Sequence, residues 1–117
     1  MMSGEPDSSD RVPDISDSDA FLSAKIRYFG SIRSAAGIEE EEVKIPSEST
    51  LVHLLYVVAK SHSKELRDEI LQIDSNDLRT DLMITLNGVI LSSEEIDKRV
   101  IQVKDVISLF PIFPGGG

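Results

Sequence analysis

The most informative stretch of the sequence reads Val106-Ile107-Ser108-Leu109-Phe110-Pro111-Ile112-Phe113-Pro114-Gly115-Gly116-Gly117. Residues 106–110 are mostly β-branched or apolar, as is typical of a strand, and Pro111 has no N–H with which to continue it. Glycine has no Cβ, so the glycine run can enter a narrow channel and adopt any φ. The stretch therefore predicts a strand followed by a flexible segment, residues 112–117, which we call the tail and which carries the carboxylate of Gly117.

The other strands are predicted from apolar alternation and from turn residues. Between Leu22 and Tyr28 every second residue is apolar, which indicates a strand with one buried face. Asn87-Gly88 is the dipeptide most typical of a two-residue turn between antiparallel strands. The predicted strands cover residues 22–29, 40–45, 82–86, 89–91 and 106–110. The first two are joined by a short connector, which favours an antiparallel pair.

Helical periodicity is clearest after Thr50. Apolar residues from Leu51 to Val58 recur at the spacing of one helix face, and either Ser49 or Thr50 is suited to cap the helix. Shorter helical segments are predicted over residues 31–36, 64–73 and 93–99. The order strand, strand, helix and then strands predicts an α+β domain with one sheet and a helix on one face.

Composition excludes several classes of function. The chain has 117 residues, of which 21 are acidic and 12 basic, for a formal net charge of −9. Such an acid excess argues against binding to nucleic acid or to an anionic membrane surface, since both need clustered Lys and Arg. With no cysteine, disulfides, thiolate catalysis and Cys-based zinc sites are excluded. The sequence has no secretory signal pattern or membrane-spanning run, so a cytoplasmic protein is expected.

The charge is concentrated before the first strand. Residues 1–20 hold six acids and one base, Arg11, for a net charge of −5, whereas residues 21–117 hold 15 acids and 11 bases, for −4. A segment so polar cannot bury enough apolar surface to offset its ordering entropy, so residues 1–20 are predicted to be a disordered acidic extension. An alternative is an electrostatic arm that binds a partner.

Residues inside the domain give little sign of an active site. His53 and His62 are not spaced to share one helix face, so neither a metal site nor acid–base chemistry is predicted from them. No phosphate-binding glycine motif is present. The acid run Glu39–Glu42 is interpreted as an exposed sheet edge, with contact to a basic partner as the alternative. By elimination, reactive chemistry is expected at the Gly117 carboxylate.

The sequence resembles the ubiquitin-like β-grasp sulfur carriers, namely the MoaD-like small subunit of molybdopterin synthase and the archaeal ubiquitin-like small modifiers. Leu109-Phe110-Pro111, a short tail and terminal Gly-Gly carry most of the resemblance, and Ile26-Arg27-Tyr28-Phe29 and Leu86-Asn87-Gly88 support it. The resemblance implies a β-grasp domain over residues 21–111, with a mixed sheet packed on one main helix and a flexible tail over 112–117. This chain has three terminal glycines where the family usually has two.

The resemblance also implies a mechanism. An E1-like (MoeB-type) adenylating enzyme would use ATP and magnesium to activate Gly117, sulfur transfer would give a C-terminal thiocarboxylate, and the large subunit of molybdopterin synthase would use that sulfur. The chain would then be a carrier and synthase small subunit, not an enzyme on its own, and would bind no cofactor itself. In the modifier branch, the activated end acylates lysines of target proteins. A third interpretation is a β-grasp interaction module with an inert tail.

The predicted site residues all lie near the end of the chain. Gly116 and Gly117 match the terminal diglycine of the family, and Phe110 matches the apolar residue before the tail that docks on partners. Core burial is the alternative for Phe110, because it lies on an alternating strand. Pro111, Ile112 and Phe113 are added as partner-binding residues, since burial inside the domain is harder beyond Pro111.

Overall fold

A computed structural model describes residues 20–112 of the chain. The predicted acidic extension up to residue 19 lies outside the described residues, as do Phe113, Gly116 and Gly117. The strands are β1 (Phe21–Tyr28), β2 (Glu40–Pro46), β3 (Leu82–Leu86), β4 (Val89–Ile90) and β5 (Val106–Pro111). The helices are α1 (Gly30–Ala36), α2 (Leu51–Ser61), α3 (Lys64–Ile70) and α4 (Ser93–Lys98).

The strands form one mixed sheet in the order β2-β1-β5-β3-β4. The central pair, β1 and β5, is parallel and in register from Lys25 opposite Val106 to Tyr28 opposite Leu109. The remaining pairs are antiparallel, including the predicted pair of β1 with β2. The mixed β-grasp sheet is therefore confirmed. The acid run Glu39–Glu42 lies in and beside β2, an edge strand, as the sequence predicted, but Glu41 is half-buried, because its carboxylate contacts Tyr28 and His62.

One face of the sheet packs against the helices and forms the core. Ala24, Ile26 and Tyr28 of β1 are buried on this face, as their alternation predicted. The apolar face of α2 between Leu51 and Val58 is fully buried. Of the two capping candidates, Thr50 is the N-cap of α2, because its side chain accepts a hydrogen bond from the backbone N–H of His53. Such a cap contributes about 1 kcal/mol.

The Asn87-Gly88 turn has the conformation that its sequence predicts. Both residues have positive φ, 53° for Asn87 and 89° for Gly88, as a type I′ hairpin requires. The Asn87 side chain also donates to Asp105 at 3.0 Å and accepts from the Val106 N–H at 2.9 Å. The turn therefore joins β3 to β4 and at the same time fixes the start of β5.

The prediction of a helix over residues 64–73 is wrong at its C-terminal end. The helix α3 stops at Ile70, and Leu71 takes an extended conformation in which it is fully buried and bridges Leu78. The helix ends there because the extended conformation places the Leu71 side chain in the core. Ile73, which the helical pattern placed on the same side as Leu66 and Ile70, is 64% exposed. None of the helices in residues 20–112 is long and apolar enough to cross a membrane.

Candidate functional site

The sheet has a face opposite the helices, and near the start of the tail this face carries Arg27, Phe29 and Phe110. We call this surface the open face. Because β1 and β5 are parallel and in register, the residues that follow Tyr28 and Leu109 also lie side by side. These are Phe29 and Phe110, whose rings stack with centroids 4.3 Å apart and planes 12° apart. Phe110 is half-buried. The alternative that placed it in the core is therefore wrong, since its neighbour Leu109 takes the buried side of the strand.

Two arginines surround this aromatic pair. The guanidinium carbon of Arg27 lies 5.2 Å from the centroid of the Phe29 ring, and that of Arg33 lies 5.7 Å from it. Arg33 is held in place because its Nε donates to the carbonyl oxygen of Tyr28 at 3.2 Å. Cation–π contacts at exposed sites contribute about 0.5–1 kcal/mol each. The arrangement is a stacked aromatic pair with two guanidinium groups beside Phe29, and one of these, that of Arg27, also contacts the Glu40 carboxylate at 3.6 Å.

The start of the tail is closely packed against the end of β1. Gly30 has φ +59°, and a Cβ built on it would lie 2.8 Å from Cγ of Pro111. Only glycine fits such a position, because it satisfies both the left-handed conformation and the close approach. The turn from β1 into α1 therefore lies directly against the residue at which β5 ends.

The structure brings together three of the predicted site residues, Phe110, Pro111 and Ile112, at the end of β5. Phe110 and Pro111 are half-buried, and Ile112 is 44% exposed. The backbone N–H of Ile112 donates to the carbonyl oxygen of Asp81 at 2.9 Å. The other predicted site residues, Phe113, Gly116 and Gly117, lie outside the described range.

Asp81 and Arg79 were not singled out in the sequence. The Arg79 guanidinium binds both carboxylate oxygens of Asp81, with both N–O distances 2.8 Å, and this pairing lowers the pKa of Asp81 below its usual range. The only signal in the sequence is an Arg and an Asp two positions apart, which is too common to identify a site. Arg79 and Asp81 are of interest because Asp81 accepts a hydrogen bond from Ile112, and this contact joins residues far apart in the sequence.

His62 belongs to a polar cluster between the sheet and a helix. Its Nε2 and the Tyr28 hydroxyl both contact the same carboxylate oxygen of Glu41. Burial raises the pKa of Tyr28, and its hydrogen bond to Glu41 acts in the same direction. The cluster links β1, β2 and the C-terminal end of α2, which is a structural role. Across the described part of the chain, no group of three or more His, Cys, Asp or Glu side chains is placed to hold a metal ion.

Comparison with known families identifies the class of protein. The profile of the ThiS family matches residues 26–116, which include the end of β1, the whole of β5 and most of the tail. The chain belongs to the ThiS family. No curated protein sequence gives a significant match.

Solved structures place the ThiS family fold among ubiquitin-like proteins. SAMP1 from Haloferax volcanii superposes with a TM-score of 0.68 at 20% identity, over 80% of this chain and 99% of that one. Urm1 from Trypanosoma brucei gives 0.65 at 14% identity, over 82% and 97%. A Pyrococcus furiosus protein assigned as molybdopterin converting factor, subunit 1, gives 0.61 at 26% identity, over 79% and 99%.

Membership of the ThiS family confirms the resemblance inferred from the sequence. The chain is a ubiquitin-like β-grasp protein of the class that contains ThiS- and MoaD-like sulfur carriers and small archaeal modifiers. The matched residues of the ThiS family profile extend to Gly116 and therefore include the Leu-Phe-Pro segment and most of the glycine run. The part of the chain that the family shares thus contains the Phe29–Phe110 pair and all of the tail except Gly117.

Proposed function

We propose that the chain is a cytoplasmic sulfur carrier whose Gly117 is converted to a thiocarboxylate that donates sulfur in molybdopterin biosynthesis. The observation that carries the proposal is the match to the Pyrococcus furiosus molybdopterin converting factor subunit, which at 26% identity covers 99% of that protein. The Leu-Phe-Pro segment followed by terminal glycines supports it from the sequence.

The chemistry needs only the terminal carboxylate from this chain. A terminal carboxyl group has an ordinary pKa of about 3.5, so Gly117 is ionised at neutral pH. Its oxygen attacks the α-phosphorus of ATP and pyrophosphate leaves, which gives an acyl adenylate. A sulfur nucleophile then displaces AMP and leaves sulfur on the carbonyl carbon. In this proposal the activating enzyme binds ATP and magnesium, and the carrier binds no cofactor itself.

The open face is the surface that we assign to partner docking. It offers the Phe29–Phe110 pair, with Arg27 and Arg33 beside it, directly before the tail. Aromatic residues and arginine are the side chains most enriched where binding energy concentrates. The proposed partners, an E1-like MoeB-type enzyme and the large subunit of molybdopterin synthase, would place carboxylates against the two arginines.

The alternative is covalent protein modification. SAMP1, a small archaeal modifier protein, shares the fold with a TM-score of 0.68. A modifier uses the same activated Gly117 carboxylate, but a lysine amine of a target protein displaces AMP and an isopeptide bond forms. The two functions therefore share the first step and differ in the acceptor. A β-grasp interaction module with an inert tail would use neither step.

Mass spectrometry tests the proposal directly. After incubation with the cognate activating enzyme, ATP and sulfide, we expect the C-terminal peptide to gain the mass of an oxygen-to-sulfur exchange at Gly117. Addition of the synthase large subunit and its precursor should then return the peptide to its original mass. No exchange would contradict sulfur carriage. A remnant of residues 105–117 on lysines of other proteins would favour the modifier, since Lys104 is the last residue of this chain at which trypsin cleaves.

Replacement of Phe110 by alanine is expected to weaken binding to the activating enzyme about 30-fold. The substitution removes the ring that stacks on Phe29, and the loss of a central aromatic contact costs about 2 kcal/mol of binding free energy. Val89→Ala is the matched control, because Val89 is 64% exposed on the edge strand β4. Calorimetric titration measures both affinities, and an equal loss in the two variants would exclude the open face as the docking surface.

A further inference from the structure

The loop between α3 and β3 contacts the end of β5. The last register pair of these strands is Leu82 opposite Pro111, and one residue further the N–H of Ile112 donates to the carbonyl of Asp81 at 2.9 Å. Pro111 has no N–H of its own, so the Ile112 amide is the group that ties the start of the tail to the loop. The position of the Asp81 carbonyl therefore affects where the tail leaves the fold.

Asp81 is in turn held by a side chain that reaches α3. Arg79 uses Nε and Nη2 to bind the two carboxylate oxygens of Asp81, both at 2.8 Å, and Nη1 to bind the carbonyl oxygen of Asp68 at 3.0 Å. The backbone N–H of Arg79 also donates to Ile70 at the end of α3. Since Ile70 is fully buried, Arg79 joins Asp81 to a part of the molecule that is fixed by the core.

The geometry of this pair matters more than its contribution to folding. The side chains of Arg79 and Asp81 are 36% and 42% exposed, and an ion pair so exposed contributes little to the free energy of unfolding. A guanidinium, however, binds a carboxylate in one planar two-pronged geometry, which a lysine cannot reproduce. The pair therefore fixes the direction of the backbone at Asp81.

The length of chain beyond Ile112 shows why a fixed exit point is useful. Five residues, 113–117, follow it and span at most about 17 Å when extended. Release of Ile112 would add about 3 Å of freely moving chain. A reacting group must approach to about 3–3.5 Å, and a misplacement of about 1 Å can cost about 100-fold in rate.

We propose that Arg79 and Asp81 are positioning residues, which hold Ile112 at the edge of the sheet and so set the reach of the Gly117 carboxylate into the active site of a partner. The inference rests on the proposed function, because it assigns a role within the activation of the tail. The two residues do not contact the reacting atoms. They act through the Asp81 carbonyl and the Ile112 amide.

The first test uses the isolated protein and needs no partner. In ¹⁵N relaxation experiments we expect the order parameter of the Ile112 amide to be about 0.8 in the wild type and to fall toward 0.6 in Arg79→Ala and Asp81→Asn. Lys64→Ala is the matched control, because it removes a surface ion pair with the Asp68 side chain on α3, at 2.9 Å, and keeps the Asp68 carbonyl that Arg79 binds. This control should leave the order parameter of the Ile112 amide unchanged.

The second test measures adenylation by the cognate activating enzyme. We expect Arg79→Ala to lower kcat about tenfold with little change in KM. The open face would still bind the enzyme, but the Gly117 carboxylate would less often be in position to react. Arg79→Lys keeps the charge without the two-pronged geometry and should fall between the wild type and Arg79→Ala. A loss confined to stability would instead leave kcat unchanged for the folded fraction.

The outcomes separate this inference from the proposed function. If the wild type is adenylated and Arg79→Ala matches Lys64→Ala in both kcat and the Ile112 order parameter, the positioning role is overturned. If the wild type is not adenylated at all, the proposed function fails. In that case the relaxation experiment still decides whether Arg79 and Asp81 hold Ile112 in place.

Discussion

Deletion of Gly116 and Gly117 is expected to abolish adenylation of the chain completely. The deletion shortens the segment beyond Ile112 from about 17 Å to about 10 Å, so the new terminal carboxylate would fall short of the ATP that the intact tail is proposed to reach. Its C-terminal residues, Pro114 and Gly115, also introduce a ring close to the reacting end. ATP–pyrophosphate exchange with the activating enzyme measures the loss. The melting temperature should stay the same, since the tail lies beyond the last strand.

Deletion of Gly115 alone is the intermediate step in a series of tail lengths. It keeps the terminal Gly116-Gly117 pair but shortens the tail by about 3 Å. A partial loss in this variant, with complete loss in the double deletion, would show that the reach of the tail matters. Full activity of the double deletion would contradict every function that depends on the tail and would favour an interaction module.

Gly30→Ala is expected to lower the free energy of unfolding by about 2–5 kcal/mol. The positive φ of Gly30 costs an alanine about 1–2 kcal/mol. The new Cβ would also lie 2.8 Å from Pro111 Cγ and 3.2 Å from its Cδ, an overlap that costs about 1–3 kcal/mol more. For a domain of this size the melting temperature should fall by about 10–25 °C. Thermal and urea unfolding measure the change.

Gly37→Ala is the matched control for this prediction. Gly37 also has positive φ, +78°, but a Cβ there would meet no atom within 4 Å. Gly37→Ala should therefore lower the free energy of unfolding only by the conformational cost of positive φ, about 1–2 kcal/mol. Combining Gly30→Ala with Pro111→Ala should recover part of the loss, because the second change removes the ring that the new Cβ meets. Equal destabilisation by Gly30→Ala and Gly37→Ala would show that the contact with Pro111 is unimportant.

Much of the fold follows from local pattern. Alternation between Leu22 and Tyr28, the helical spacing after Thr50 and the Asn87-Gly88 turn each predicted an element that the structure confirms, since each depends on residues close in sequence. The predicted end of α3 was wrong because it depends on a contact outside the helix. The pattern continued to Ile73, but the bridge between Leu71 and Leu78 and the burial of Leu71 ended the helix at Ile70.

The site was only partly predictable because its geometry depends on strand pairing. Phe110 was identified from its place before the tail. Its contact with Phe29 exists because β1 and β5 are parallel neighbours, and no local sequence pattern predicts that pairing. The link from Arg79 through Asp81 to Ile112 likewise joins two distant parts of the chain. Gly116 and Gly117 remain predictions from the sequence and the family.

The central position of β5 in the sheet affects when the protein can fold during synthesis. Val106 pairs with Lys25, so the first and last strands meet in the middle of the sheet, and β3 is joined to β1 only through β5. Contacts between such distant residues form late and slowly, because the loop must close before they stabilise anything. A chain whose synthesis stops before Val106 lacks the strand that unites the sheet. Copies truncated before that residue are therefore expected not to fold and to be degraded by proteases.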